Sequence, residues 1–260
     1  MDELVALKPK LARLKLSGIL ETLTERLTQA TAEKWSFTHL LDVLVSDEVE
    51  RRDFKHLARR LSKSGLDAEK TLETFDFSFN PRIHQPTIRE LAIGRFMDKA
   101  ENVFFLGPSG VGKSHLAQGL GHAMCRKGME VIYERTSALM DWVVTGLGDG
   151  SHDRRLKQVC TVDLLILDDF GLKPLPVAQQ EDLYELICRR YERKATIITS
   201  NRDFNEWPMV FANPLMASAS MDRLVHRATK IVIEGKSYRL ESFVRRTKET
   251  SNAATSKDKP

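Results

Sequence analysis

The sequence predicts a doubly wound α/β domain with a five-stranded parallel sheet, preceded by a small all-α N-terminal domain. Three observations carry this expectation. Five short apolar runs alternate with longer helical stretches after residue 101. A glycine-rich loop joins the first of these runs to the helical stretch that follows it. The first 70 residues show helical leucine spacing and no strand-like alternation.

The five runs are Val103 to Leu106, Val131 to Tyr133, Leu164 to Leu167, Thr196 to Thr199 and Ile231 to Ile233. Nearly continuous apolar runs belong to strands buried on both faces, hence to a parallel sheet covered by helices. The N-terminal region repeats Leu4, Leu7, Leu11 and Leu14, then Leu20, Leu23 and Leu27. A further run from Phe37 through Leu40, Leu41, Leu44, Val45 and Val49 reaches Phe54, Leu57 and Leu61, with Gly65 as its stop. Residues 1–70 therefore read as the helical domain.

Residues 71–101 read as a connector leading into a helix. Phe75, Phe77 and Phe79 alternate there, ahead of Pro81 and Pro86. Thr87 is expected to cap a helix running through Phe96, with Glu90 three residues on as its capping-box partner. Residues 102–244 make the α/β domain. Residues 245–260 are polar and aperiodic, and a disordered tail is expected.

Composition sets the class. The 260 residues are 42% apolar and 29% charged, enough to build a packed core. A net charge of +4 and a pI of about 8.9 permit a nucleic-acid partner without requiring one. Cys125, Cys160 and Cys188 share no metal-binding or disulfide spacing. Lys8, Lys10, Arg13 and Lys15 interrupt any leader-like apolar segment, and no 18-residue apolar window exists. A cytoplasmic protein without membrane spans is expected.

The chemistry concentrates in Gly107-Pro108-Ser109-Gly110-Val111-Gly112-Lys113-Ser114, which matches G-x-x-x-x-G-K-[ST]. A triphosphate needs a ring of backbone N–H donors, and side chains would crowd it, so glycines stand there. Lys113 supplies a point charge for the β- and γ-phosphates, and Ser114 a hydroxyl ligand for Mg²⁺. Asp168 and Asp169 end the third apolar run, at the carboxyl edge of the sheet where ligands bind. Asp168 is the expected Mg²⁺ carboxylate, and Asp169 could orient the attacking water. Asn201 closes the fourth strand, within reach of both acids and a γ-phosphate. ATP with Mg²⁺ is thus the expected ligand, and ATP hydrolysis the expected reaction.

Together these residues resemble the AAA+ ATPases, and more closely the IstB-like helpers of insertion-sequence transposition, relatives of DnaC/DnaI-type helicase loaders. The likeness spans about residues 5–248. It also rests on Leu14-Lys15-Leu16-Ser17-Gly18-Ile19 and on Leu72-Glu73-Thr74-Phe75-Asp76-Phe77. The resemblance implies a P-loop fold of AAA+ type lacking the helical lid, since little chain follows Arg239. It implies Asn201 as a sensor, Arg223 as an arginine finger acting in trans, and Arg239 as a second sensor. A finger acting in trans implies a ring or helical homo-oligomer with ATP between subunits.

Arg51, Arg52, Lys55, Arg59, Arg60 and Lys63 crowd one helical stretch, with 52, 55, 59 and 63 on one face. Alone, such a run is a solvated face. With the resemblance it becomes the expected contact to duplex DNA, without sequence preference. The implied function is assembly on duplex DNA to assist a cognate transposase. A helicase loader is the alternative, in which the N-terminal region grips a helicase. A GTPase is disfavoured because no Asn-Lys-x-Asp motif follows the fourth strand. A small-molecule kinase would leave the N-terminal helices unexplained.

Overall fold

A computed structural model describes residues 2–244, with side chains from residue 4. The expected tail, residues 245–260, lies outside the described residues. The chain divides into two compact units, residues up to Arg59 and residues from Arg60 onward.

The first unit holds helices α1 (Asp2–Arg13) and α2 (Ser17–Ala32) and most of α3 (Phe37–Ser64). Its small core is Ile19, Leu23 and Leu44, with Leu4, Leu11, Leu16, Leu27 and Leu40 packed around them. No side chain of its own caps the start of α2. Glu48 of α3 takes that role, accepting hydrogen bonds from the backbone N–H groups of Gly18 at 2.6 Å and Ile19 at 3.3 Å. A carboxylate at a helix N-terminus also meets the positive end of the helix dipole. A Cβ on Gly18 would stand 2.7 Å from the Glu48 Cα, so only glycine lets the two helices approach this closely. Arg26 and Asp47 add a bidentate pair, both contacts at 2.9 Å.

The expected boundary near residue 70 differs from the observed one, which falls inside α3. Helical periodicity runs unbroken through α3, so nothing in the local pattern marks Arg59. What changes is the packing partner. From Arg60 onward the chain bonds to a later helix, α6 (Lys113–Arg126): Arg60 Nε donates to the Cys125 carbonyl at 3.0 Å. The Asp67 N–H donates to Gln118 at 2.9 Å. Gly65, in the left-handed region at φ 74°, ends α3 as expected.

The second unit contains α4 (Gln85–Ile93), α5 (Arg95–Asp98), β1 (Asn102–Leu106), α6, β2 (Val131–Arg135), α7 (Thr136–Asp149), α8 (His152–Thr161), β3 (Leu164–Asp168), α9 (Val177–Arg190), β4 (Ala195–Ser200), a 3₁₀ helix (Phe204–Val210), α10 (Pro214–Val225) and β5 (Ala228–Val232). All five strands are parallel, in the order β2-β3-β4-β1-β5. The central strands β3 and β4 are buried at every position, while the edge strands β2 and β5 are only partly covered. Phe104, Leu106, Leu165, Leu167 and Ile198 belong to one core with residues of α7 to α10. Ile166, on the opposite face by alternation, packs toward α6 beside Gly121. Residues 238–244 are helical. No helix among the described residues is long and apolar enough to cross a membrane.

The helix expected from Thr87 to Phe96 is corrected. α4 starts at Gln85 with His84 at its N-cap and Pro86 in the first turn, so Thr87 is already helical and no capping box with Glu90 forms. Proline's fixed φ sets the start. Gly94, at φ 91°, ends the helix before Phe96, which lies in the separate short α5.

Because Gly18 is closed in by backbone, Gly18→Ala should cost about 1–3 kcal/mol of stability, as overpacking does. Denaturant unfolding of the variant beside the parent checks this.

Candidate functional site

β1 delivers the chain to the carboxyl edge of the sheet, and the loop of residues 107–112 turns it into α6. Gly110 and Gly112 adopt φ of 84° and 101°, where side chains are strained. Space forbids them as well. A Cβ on Gly112 would stand 2.7 Å from the Phe75 ring, and one on Gly110 would run into Ser237. The loop is thus wrapped by the connector on one side and by the stretch after β5 on the other. The Tyr238 N–H donates to the Gly110 carbonyl at 2.9 Å, and Arg239 Nη2 donates to Ser109 Oγ at 2.7 Å.

Lys113 opens α6 and is buried. Its Nζ donates to the Pro108 carbonyl at 2.8 Å and to Asn201 Oδ1 at 2.6 Å. Burial pulls its pKa below the ordinary lysine value, and the charges of Asp169 and Asp168 oppose that pull. Ser114 Oγ donates to Asp168 Oδ1 at 2.7 Å. Thr199 Oγ1 donates to the same oxygen. Tyr133 donates its hydroxyl to Asp168 Oδ2 at 2.6 Å. Burial, then this bond, holds the Tyr133 phenol well above its usual pKa, so it stays a donor. Asp169 sits in the left-handed region at φ 53°, its N–H directed to Thr199 Oγ1 at 3.2 Å. Burial and the neighbouring Asp168 carboxylate raise its pKa.

The structure therefore gathers Lys113, Ser114, Asp168 and Asn201 by direct hydrogen bonds, with Asp169 and Arg239 close enough to act on Lys113 electrostatically. A helix N-terminus fronted by glycine backbone suits an anion. One carboxylate and one hydroxyl are hard oxygen donors of the kind Mg²⁺ takes when phosphates and waters complete its shell.

Known proteins are similar to this chain. A family model described as IstB-like ATP binding protein matches residues 9–246. An insertion-sequence ATP-binding protein of Mycobacterium tuberculosis is 40% identical over 235 residues, covering 90% of this chain and 94% of that protein. The ATP-binding protein of insertion sequence IS21 from Pseudomonas aeruginosa is 35% identical over 231 residues, covering 89% and 87%. Among solved structures, a DNA replication initiation factor superposes with a TM-score of 0.58 at 23% identity, over 72% of this chain and 56% of that one. DnaI superposes with a TM-score of 0.56 at 20% identity, over 66% and 96%. The chain belongs to the IstB-like ATP-binding proteins. The two structural matches share its fold, a parallel sheet flanked by helices.

In this IstB-like chain Arg223 stands apart from the loop. It lies in the last turn of α10, donates to the Ala219 carbonyl at 2.8 Å and carries its guanidinium 5.9 Å from the Tyr184 ring centre. It borders a small cleft with Asn102 and Thr196, which begin β1 and β4, at the sheet edge opposite Lys113. The basic run on α3 is partly engaged. Arg51 pairs with Glu21, Arg52 with Glu48 at 2.7 Å, and Lys55 donates to Ser17 Oγ at 3.3 Å. Arg60 is held by the Cys125 carbonyl. Arg59 also has an interaction of its own. Lys63 lies in the final turn of α3.

Sequence reasoning missed Tyr133 and Phe75 as site neighbours. Tyr133 read only as a strand residue, because its reach to Asp168 depends on β2 pairing with β3. Phe75 read as part of a connector, and its contact with Gly112 is made across a fold-level turn.

Removing the ammonium in Lys113→Ala should weaken ATP binding at least about tenfold, the scale of one lost hydrogen bond to a charged group. Isothermal titration with ATP reads this directly, and parental affinity would count against the residue.

Proposed function

We propose that this chain hydrolyses ATP between subunits of an assembly formed on duplex DNA, and that the assembly assists a transposase. The observation that carries the reading is the convergence of Lys113, Ser114, Asp168 and Asn201 on one loop while Arg223 lies at the far edge of the sheet. The residues proposed for the loop side of the site lie together, and the proposed arginine finger lies away from them. A neighbouring copy can supply it. The insertion-sequence relatives favour transposition over helicase loading as the context. In this reading the complex works in the cytoplasm, where ATP and chromosomal DNA meet.

In this reading, residues Gly107 to Ser114 cradle the triphosphate with backbone N–H groups, and Lys113 leaves the Pro108 carbonyl for the β- and γ-oxygens. Ser114 and Asp168 would hold Mg²⁺, which supplies charge neutralisation for the phosphates. Asp169 orients the water. The water oxygen bonds to the γ-phosphorus, the bond to the bridging oxygen breaks toward ADP, and phosphate leaves. Asn201 spans Lys113 and the γ-phosphate, and Arg239 turns from Ser109 to the phosphates. Arg223 of the adjacent subunit stabilises the charge that develops. The N-terminal helical region, residues 1–70, contacts DNA or a partner. Arg51, Arg52, Lys55, Arg59, Arg60 and Lys63 are the proposed phosphate contacts, with Arg52 shared with Glu48.

Two outcomes are expected. ATPase rate per subunit should rise steeply with protein concentration and rise further with random-sequence duplex DNA. A rate per subunit that ignores both would point to a self-contained site. Arg223→Ala and Lys113→Ala should each be inactive in hydrolysis, yet regain part of the activity when mixed. A Lys113→Ala copy can lend its Arg223 to the intact loop of an Arg223→Ala copy, and a mixture as inactive as its components would rule out the arginine in trans.

A further inference from the structure

We propose that Tyr133 is the positioning residue for the Asp168 carboxylate, and thereby sets how tightly the site takes a magnesium–nucleotide complex. The inference rests on the magnesium role proposed above for Asp168. The sheet register carries it. Tyr133 on β2 pairs with Ile166 on β3, so Tyr133, Ile166 and Asp168 share one face of the sheet, the face that packs toward α6. The tyrosine ring is long enough to reach two residues further along β3, to the next side chain on that face, and its hydroxyl meets Asp168 Oδ2 at 2.6 Å.

Asp168 is 4% exposed, so its carboxylate depends on protein donors. Oδ1 receives Ser114 and Thr199, and Oδ2 receives Tyr133. The three donors come from α6, β4 and β2. A carboxylate's terminal torsion is broad and roughly two-fold, so donors on one oxygen alone leave its plane free to turn. Tyr133 supplies the donor on the second oxygen. Its hydrogen bond holds the plane so that Oδ1 stays directed to Ser114, the other proposed ligand. Magnesium tolerates little departure from octahedral geometry, so a ligand free to turn binds it poorly. Ring packing alone does not explain the residue. Phenylalanine would fill the same partly covered position on an edge strand, and only the hydroxyl reaches Asp168.

The test is Tyr133→Phe in the full chain, read by binding of a fluorescent ATP analogue during a titration with MgCl₂ from an EDTA-treated start. The magnesium concentration that half-saturates the tightening should rise roughly tenfold or more, as loss of a hydrogen bond to a metal ligand does, while affinity in EDTA stays within about twofold. In an Asp168→Asn background the same substitution should produce no further shift, because its effect passes through that carboxylate. An unchanged magnesium curve with a lower melting temperature would overturn the proposal and leave the hydroxyl a packing group. Equal losses in EDTA and in magnesium would overturn it as well. If the parent itself shows no tightening by magnesium, the metal role of Asp168 falls first, and this inference with it.

Discussion

A carboxylate at the end of a buried strand is the constraint on which the site depends. Asp168 finishes β3, the strand between β2 and β4, and a charge there is tolerated only if fully hydrogen-bonded. Each donor comes from a different element, Ser114 from α6, Thr199 from β4 and Tyr133 from β2. The carboxylate therefore ties the start of the first helix after the loop to two neighbouring strands. The Asp168 carbonyl also accepts from Thr136 at 3.0 Å, which pins the start of α7. A displacement of any of these elements breaks a bond to Asp168, so this sheet edge is held from several elements at once.

The lysine next to it is held under the opposite tension. Lys113 is buried with its ammonium on a loop carbonyl and an asparagine, neither of which carries a charge. Its lowered pKa reports that this environment disfavours the cation. A triphosphate would reverse that balance, since it brings negative charge to the same point. The fold thus retains a charge that Asp169 and Asp168 offset only in part and that an anionic ligand would relieve further, a familiar way for stability to yield to binding. The wrapping of the loop has the same logic. Phe75 and Ser237 close against Gly112 and Gly110, so packing constrains the loop conformation.

Much of this was legible in the sequence because it is local. The five strands, the glycine loop, Asp168 and Asn201 all follow from runs of adjacent residues, and each strand forms within a few residues of its expected span. The contacts that were not legible join segments distant in the chain. Tyr133 needs the strand order, Phe75 needs the path of the connector, and the unit boundary at Arg59 needs to know which helix α3 meets next. The mistaken cap at Thr87 is a different failure. Two local signals competed there, and proline's restricted φ at Pro86 outweighed a threonine's capping oxygen. The basic run on α3 was readable as composition, but its partners Glu21 and Glu48 lie on α2 and on the same helix, four residues from Arg52.

The position of Arg223 follows from topology rather than from any local pattern. α10 runs antiparallel to the strands and ends beside the amino ends of β1 and β4, whereas the glycine loop leaves the carboxyl end of β1. In a parallel sheet those two edges are separated by the full strand length, five residues of β1 at about 3.3 Å each. No side-chain motion spans that distance plus the width of the loop. The finger role proposed for Arg223 therefore requires a contact between copies. In the assembly proposed above, copies that place the glycine loop at one edge and this arginine at the other would meet head to tail, and such contacts close into rings or continue as helices.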